Sequence, residues 1–249
     1  METIGRIHSI ETFGSVDGPG IRFIFFLHGC PFRCVYCHNP DTWASETYEE
    51  MSAKQAYEKA MRYKTYWKKN GGITVSGGEP LLQLDFIIEL FTMIKQAGYT
   101  TCIDTSGACF SRRDPFFSKF EKLMDVCDLL LVDMKEFNDE RHKKITGKPN
   151  ANVLDMLQYL SDIRKPIWIR HVLVPGYSDF DEDLTALGKY LKTLENVARV
   201  EVLPYHTLGI FKWEQLGIPY VLDGVKPPSK ERKINAERLL DVGSYTQFR

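Results

Sequence analysis

Cys30, Cys34 and Cys37 stand in the stretch HGCPFRCVYCHNPDTW at C-x3-C-x2-C spacing. A closed tetrahedral zinc site takes four ligands, and zinc cysteines usually come as two separated pairs. No fourth cysteine follows at ligand spacing, and no second C-x2-C pair exists in the chain. His38 adjoins Cys37, and adjacent side chains diverge too far to share one tetrahedral ion. A distant histidine would complete a zinc site. Three packed thiols are a plainer reading, but Pro31 and Asn39-Pro40 mark the segment as a loop. The remaining chemistry is an iron–sulfur cluster held by three thiolates. In a four-iron cube one iron then has no protein ligand, and that position is open to a small molecule.

Such a loop needs elements to position it. Apolar runs of strand length occur at residues 22–28 (RFIFFLH), 72–76 (GITVS), 99–104 (YTTCID), 129–133 (LLLVD), 166–173 (PIWIRHVL) and 199–203 (RVEVL). Their β-branched and aromatic content suits buried parallel strands. Helical spacing of apolar residues fills 52–69 and 84–97, with Gly98 placed as a C-terminal cap. Further helices are expected at 114–124, 153–163, 181–194 and 229–242, the last begun by the run Lys226-Pro227-Pro228. Alternating strands and helices imply βαβ units. About six units are too few for a closed eight-stranded barrel, so an open partial barrel or a doubly wound sheet is expected.

In either architecture chemistry sits at the C-terminal strand ends. The reactive residue types fall there. The cysteines follow the first run, and Ser76-Gly77-Gly78-Glu79-Pro80 follows the second. Asp104-Thr105-Ser106-Gly107 end the third, and Asp133-Met134-Lys135 end the fourth. Arg170 and His171 lie in the fifth, and Pro204-Tyr205-His206 end the sixth. One mouth would gather all of them. Gly77 and Gly78 allow close backbone approach to a ligand, and Glu79 could receive an ammonium group, although an ordinary strand-to-helix turn uses the same residues.

The chain has 249 residues and a formal net charge of -1. Lys and Arg nearly cancel Asp and Glu and form no long block, which gives no nucleic-acid footprint. No apolar run approaches a membrane span, and METIGRIHSIETFG has no signal-peptide core. A reducing cytoplasmic setting is expected. Six cysteines are too sparse for a disulfide scaffold. Cys102, Cys109 and Cys127 read as packed thiols, and His8, His28, His142 and His171 as structural or solvated. Residues 64–69 read as a solvated helix face.

The cysteine spacing, with Tyr36 before the last cysteine and Gly77-Gly78-Glu79-Pro80 beyond, resembles the radical S-adenosylmethionine superfamily. Within it, the chain is similar to activating enzymes of glycyl-radical enzymes. The matching stretches are IGRIHS (4–9), VDGPGIR (16–22), YCHN (36–39), DTW (41–43), WIR (168–170), LPYH (203–206) and LDGVKPP (222–228). This resemblance implies a partial (β/α)6 barrel, open on one side, as a single domain over 1–249. Residues 1–20 would carry a partner-binding loop. It implies a 4Fe-4S cluster on Cys30, Cys34 and Cys37, with S-adenosyl-L-methionine at the open iron. Tyr36, His38, Gly77, Gly78, Glu79, Asp133, Met134, Lys135, Arg170 and His206 would bind that cofactor, with Lys135 a partner for its carboxylate. Asp104, Thr105, Asp133 and the Leu131 carbonyl occupy the places of a monovalent cation site, Na+ or K+. The alternative is that the two aspartates merely cap helices.

The implied reaction takes hydrogen from a backbone glycine of a glycyl-radical partner, gripped by Ser15, Val16 and Asp17. Turn chemistry alone would also explain that loop. Some relatives carry a ferredoxin-like insertion with further C-x2-C pairs between the cysteine loop and Glu79. Here 41 residues lie between Cys37 and Glu79 and none is cysteine, which points to pyruvate formate-lyase as partner. Flavodoxin or ferredoxin as electron donor and a monomeric state are further expectations. A radical enzyme acting on a small molecule and a non-catalytic zinc or electron-transfer protein are the alternatives.

Overall fold

The computed structural model describes residues 2–43 and 48–247. Eight strands form one sheet in the order β3-β1-β2-β4-β5-β6-β7-β8. The chain divides into two compact units, Met1–Pro31 with Thr42–Leu131, and Phe32–Asp41 with Val132–Arg249. No described helix is long and apolar enough to cross a membrane.

The first unit holds β1 (Ile4–Gly14), β2 (Arg22–Leu27), β3 (Glu49–Ser52), α1 (Ala53–Met61), α2 (Lys64–Trp67), β4 (Gly72–Gly77), α3 (Leu84–Gln96), β5 (Thr100–Thr105), α4 (Phe116–Val126) and most of β6 (Leu129–Asp133). β2 runs parallel to β4, and β4 to β5, while β1 is antiparallel to both β2 and β3. Side chains alternate across these strands. Phe23, Phe25, Ile73, Val75 and Ile103 share one face and are fully buried. Each such side chain contributes roughly 1.5–3 kcal/mol by leaving water. The face with the opposite parity carries Arg22, Thr74, Ser76, Cys102 and Asp104.

The second unit holds α5 (Asp139–Thr146), α6 (Ala151–Asp162), β7 (Ile167–Leu173), α7 (Asp181–Leu191), β8 (Val197–Pro204), α8 (Ile210–Gln215) and α9 (Lys230–Leu239). β7 and β8 are parallel.

All six expected strands are present, within two residues at each end. The expected helix over 52–69 is broken. Ser52 caps α1 in a reciprocal box with Gln55, but Tyr63 leaves helical geometry and only the short α2 follows. The break lets Trp67 bury against Tyr99, edge to face at 4.9 Å between ring centroids. Gly98 adopts φ +84 and its N–H donates to Lys95 O, the expected cap. Pro227 and Pro228 precede the last helix rather than opening it: Ser229 is its N-cap, accepting from Arg232 N at 3.1 Å. Four elements escaped the sequence reading. β1 and β3 are half-exposed antiparallel strands without an apolar run, α5 is short and largely polar, and α8 has only six residues.

Candidate active site

In the first unit the turn after β4 is sewn to the chain that leads into the cysteines. Gly78 N donates to Leu27 O at 2.9 Å and Glu79 N to Gly29 O at 2.7 Å. Gly77 has φ +124, and a Cβ at Gly78 would stand 2.2 Å from Gly29 O and 3.1 Å from the Cys30 Cβ. Only glycine lets the backbone lie this close to Cys30.

Glu79 departs from the expectation of a ligand-facing carboxylate. It is fully buried, and its Oε1 accepts from Leu81 N at 3.1 Å and Thr105 Oγ1 at 2.6 Å. Its Oε2 accepts from Ser106 N at 3.0 Å and from the Ser106 hydroxyl. Burial pushes its pKa up, and these bonds oppose the shift. The side chain is thus a latch between the glycine turn and the end of β5. The Thr105 hydroxyl donates into that latch, so toward a cation Thr105 could offer its carbonyl. Asp104 accepts from Ser76 Oγ at 2.8 Å. Leu131 is wholly buried.

Residues 15–20 precede β2, whereas the glycine turn follows the parallel β4. Ser15, Val16 and Asp17 thus come before β2, and Asp17 reaches as far as Thr74 in the middle of β4. Thr74 Oγ1 donates to Asp17 O at 2.7 Å, and Arg22 Nη1 to Pro19 O at 3.3 Å. Buried Arg22 also donates to Thr74 Oγ1 at 3.0 Å and Thr100 Oγ1 at 2.6 Å. Burial lowers its pKa, countered by neighbours that include Cys102 and Asp128.

In the second unit the remaining cysteine loop, residues 32–41, is held by two helices. Arg33 N donates to Thr146 O at 2.8 Å and Val35 N to Ile145 O at 2.9 Å, at the end of α5. The Phe32 ring meets His142 of the same helix edge to face. From α8, Trp213 Nε1 donates to Cys37 O at 2.8 Å, and Lys212 Nζ to Asn39 Oδ1 at 2.8 Å. Cys37 N closes the turn on Cys34 O at 3.0 Å. Val35 and Tyr36 pack with Ile145, Val174, Tyr205 and Leu222.

Lys135 gathers the charges here. Its ammonium is 2.6 Å from Asp133 Oδ2 and 5.6 Å from the Tyr36 ring centre. Burial pulls its pKa down, but Asp133 first, then Tyr36 and Cys34, outweigh that and hold it well above its ordinary value. Burial pushes the Cys34 thiol up to about 12 despite Lys135. His38 and His206 stack with centroids 4.2 Å apart, and burial, then His206, lowers the His38 pKa.

Two expected cofactor residues are otherwise engaged. Met134 is buried, its N–H donates to Arg170 O at 2.9 Å, and its carbonyl faces His171 Nδ1 at 2.9 Å. Arg170 pairs with Glu201 at 3.3 Å. His171, wholly buried between Met134 O and Ser178 O, is structural, in agreement with its sequence reading. Cys102 and Cys127 are buried thiols as expected, whereas Cys109, expected to pack likewise, is only partly buried.

The family model of the radical SAM superfamily matches residues 24–187. The chain belongs to the radical SAM superfamily. A pyruvate formate-lyase-activating enzyme of Streptococcus mutans is 53% identical over 247 residues, 98% of this chain and 94% of that protein. One from Listeria monocytogenes is 52% identical over 245 residues, 98% of this chain and 99% of that protein. Among solved structures, a radical SAM methyltransferase from Sphaerobacter thermophilus has a TM-score of 0.61 at 16% identity, over 99% of this chain and 76% of that one. That likeness concerns the fold: an α/β radical SAM chain with an open sheet.

Other residues that bear on this radical SAM site were not singled out from sequence. Trp213, Lys212 and Glu201 reach the loop or Arg170 only through tertiary contact. Trp213 carried a weak signal, because a buried indole N–H needs an acceptor.

The donor set fits a cluster. Among the described residues no group of three or more His, Cys, Asp or Glu side chains stands close enough to cage one metal ion. Thiolates of a three-cysteine cube each hold a different iron, so they are not expected to share one ion. Soft sulfur donors without an intervening carboxylate suit iron–sulfur chemistry.

Proposed function

We propose that this chain activates pyruvate formate-lyase by making a radical at a backbone glycine of that enzyme. The observation that carries the reading is likeness over nearly the whole length, at 52–53% identity, to relatives bearing that activity in their names. Cys30, Cys34 and Cys37 hold a 4Fe-4S cluster and S-adenosylmethionine is the second cofactor. Once bound there, the cluster and S-adenosylmethionine would together supply the one-electron reductive chemistry that removes a hydrogen atom from the partner's glycine.

This chain's own groups bind and orient. Lys135, kept cationic by Asp133, takes the cofactor carboxylate. The Gly78 backbone lines the methionine end, Tyr36 and His38 contribute backbone, and His206 contacts the nucleoside end. Glu79 acts through the turn it latches. The Cys34 thiol, high in pKa, gives up its proton on loading, so cluster assembly releases protons. Asp104, Asp133 and the carbonyls of Thr105 and Leu131 serve a monovalent cation. Ser15, Val16 and Asp17 contact the partner. The electron comes from flavodoxin or ferredoxin, and the protein works as a cytoplasmic monomer.

The test is electron paramagnetic resonance on anaerobically reconstituted, reduced protein. The expected result is a four-iron signal that changes on adding S-adenosylmethionine, then a glycyl doublet on adding pyruvate formate-lyase. A doublet only with another glycyl-radical enzyme would move the partner. Zinc without iron would leave a non-catalytic cysteine site.

A further inference from the structure

α8 lies outside every motif quoted above, yet it grips the loop that carries Cys34 and Cys37. Trp213 is almost wholly buried and meets Tyr220 edge to face at 5.2 Å. Its indole N–H ends on the carbonyl of Cys37 at 2.8 Å. The Cys37 N–H is spent on Cys34 O at 3.0 Å. Both peptide groups of Cys37 are therefore fixed, which leaves chiefly the side-chain torsion to place its sulfur. Two neighbours reinforce the grip. Lys212 pairs with Asp41 at 3.1 Å, and a Cβ at Gly209 would come within 2.9 Å of the His38 Cα.

We propose that Trp213 is a positioning residue for the cluster, presetting Cys37 through its carbonyl before any iron is bound. The inference rests on the reading of Cys37 as a cluster ligand. A loop fixed in advance loses less conformational entropy when its thiolates close on a cluster. The same bond restrains the peptide that joins Cys37 to His38, so the cofactor contact at His38 is set by the same indole.

Trp213→Phe keeps an aromatic ring and deletes the donor. The variant is expected to fold and take up iron and sulfide, but to lose iron to a chelator roughly five- to tenfold faster, the factor one hydrogen bond commands. The reduced cluster's paramagnetic resonance line shape, with and without S-adenosylmethionine, is expected to differ from wild type. Phe211→Leu changes an exposed side chain of the same helix and leaves the bond to Cys37 alone, and it should match wild type in both readouts. Wild-type iron retention and line shape in Trp213→Phe overturn the inference alone. A wild-type protein that takes up no iron overturns the functional reading and the inference with it. A second measurement needs no variant: in cluster-free wild type the Trp213 indole N–H, followed by nitrogen-15 magnetic resonance, should exchange slowly with solvent. Fast exchange means that the bond to Cys37 is not preset.

Discussion

The Lys135 ammonium stands 2.6 Å from the Asp133 carboxylate, with both side chains mostly buried and the Tyr36 ring beside the cation. Asp133 keeps Lys135 charged where burial alone would favour the neutral amine. A cofactor carboxylate arriving at Lys135 thus meets a committed cation. Lys135→Met should weaken S-adenosylmethionine binding roughly ten- to a hundredfold, the range for a hydrogen bond to a charged group. Equilibrium binding to the reconstituted protein measures this. Unchanged affinity would remove Lys135 from the cofactor site.

Glu79 makes the opposite kind of prediction. Its four hydrogen bonds are all internal, so Glu79→Ala leaves Leu81 N–H, Thr105 Oγ1 and the Ser106 donors without their acceptor. Each costs about 1–3 kcal/mol, and the variant should lose about 3 kcal/mol or more in denaturant unfolding. A variant of wild-type stability that binds S-adenosylmethionine poorly would restore the ligand-facing role.

Glu136 gives a pH signature. It is buried, and burial raises its pKa to about 7, against bonds from Phe137 N at 2.6 Å and Asn138 N at 3.0 Å. Its Oε2 has no hydrogen-bond partner. The folded pKa exceeds the ordinary 4.5, so this group's stabilisation is full below about 4.5 and is lost as pH rises through about 7. The shift corresponds to roughly 3 kcal/mol at most. Glu136→Gln should flatten that decline when urea midpoints are compared between pH 5 and pH 8. Parallel curves for the two proteins would assign the decline elsewhere.

Asp17 separates partner contact from cofactor chemistry. Thr74 holds the Asp17 carbonyl, so Asp17→Ala keeps the loop in place. The variant should cleave S-adenosylmethionine reductively at close to the wild-type rate and form the glycyl radical at least tenfold more slowly. Loss of cleavage would reassign the loop.

The six cysteines should divide cleanly. Cys34→Ala should lose the cluster and all turnover. Cys102→Ser and Cys127→Ser should keep wild-type iron content, because those thiols sit buried on other elements. Iron analysis after anaerobic reconstitution reads both.

Much of this protein is local, and the local part was legible. The parallel strands declared themselves as continuous apolar runs, and Cys30, Cys34, Cys37 and the Gly77-Gly78 turn declared themselves by spacing, because ligand spacing on one loop is a property of the chain. β1 and β3 were not legible as strands because half-exposed antiparallel strands have no apolar run, and α5 and α8 because short helices are settled by what they touch. Sequence alone placed Glu79 in the right turn but could not aim it. Whether a carboxylate faces a ligand or its own fold depends on who donates to it, and the donors Thr105 and Ser106 come from another strand. The same holds for Trp213, whose acceptor is 176 residues away. The sequence by itself determined the spacing of Cys30, Cys34 and Cys37 and the family to which the chain belongs. Only the tertiary structure decided which side chains stay available for the cofactor and which are spent holding the loops, because each donor–acceptor pairing is made between segments distant in the chain.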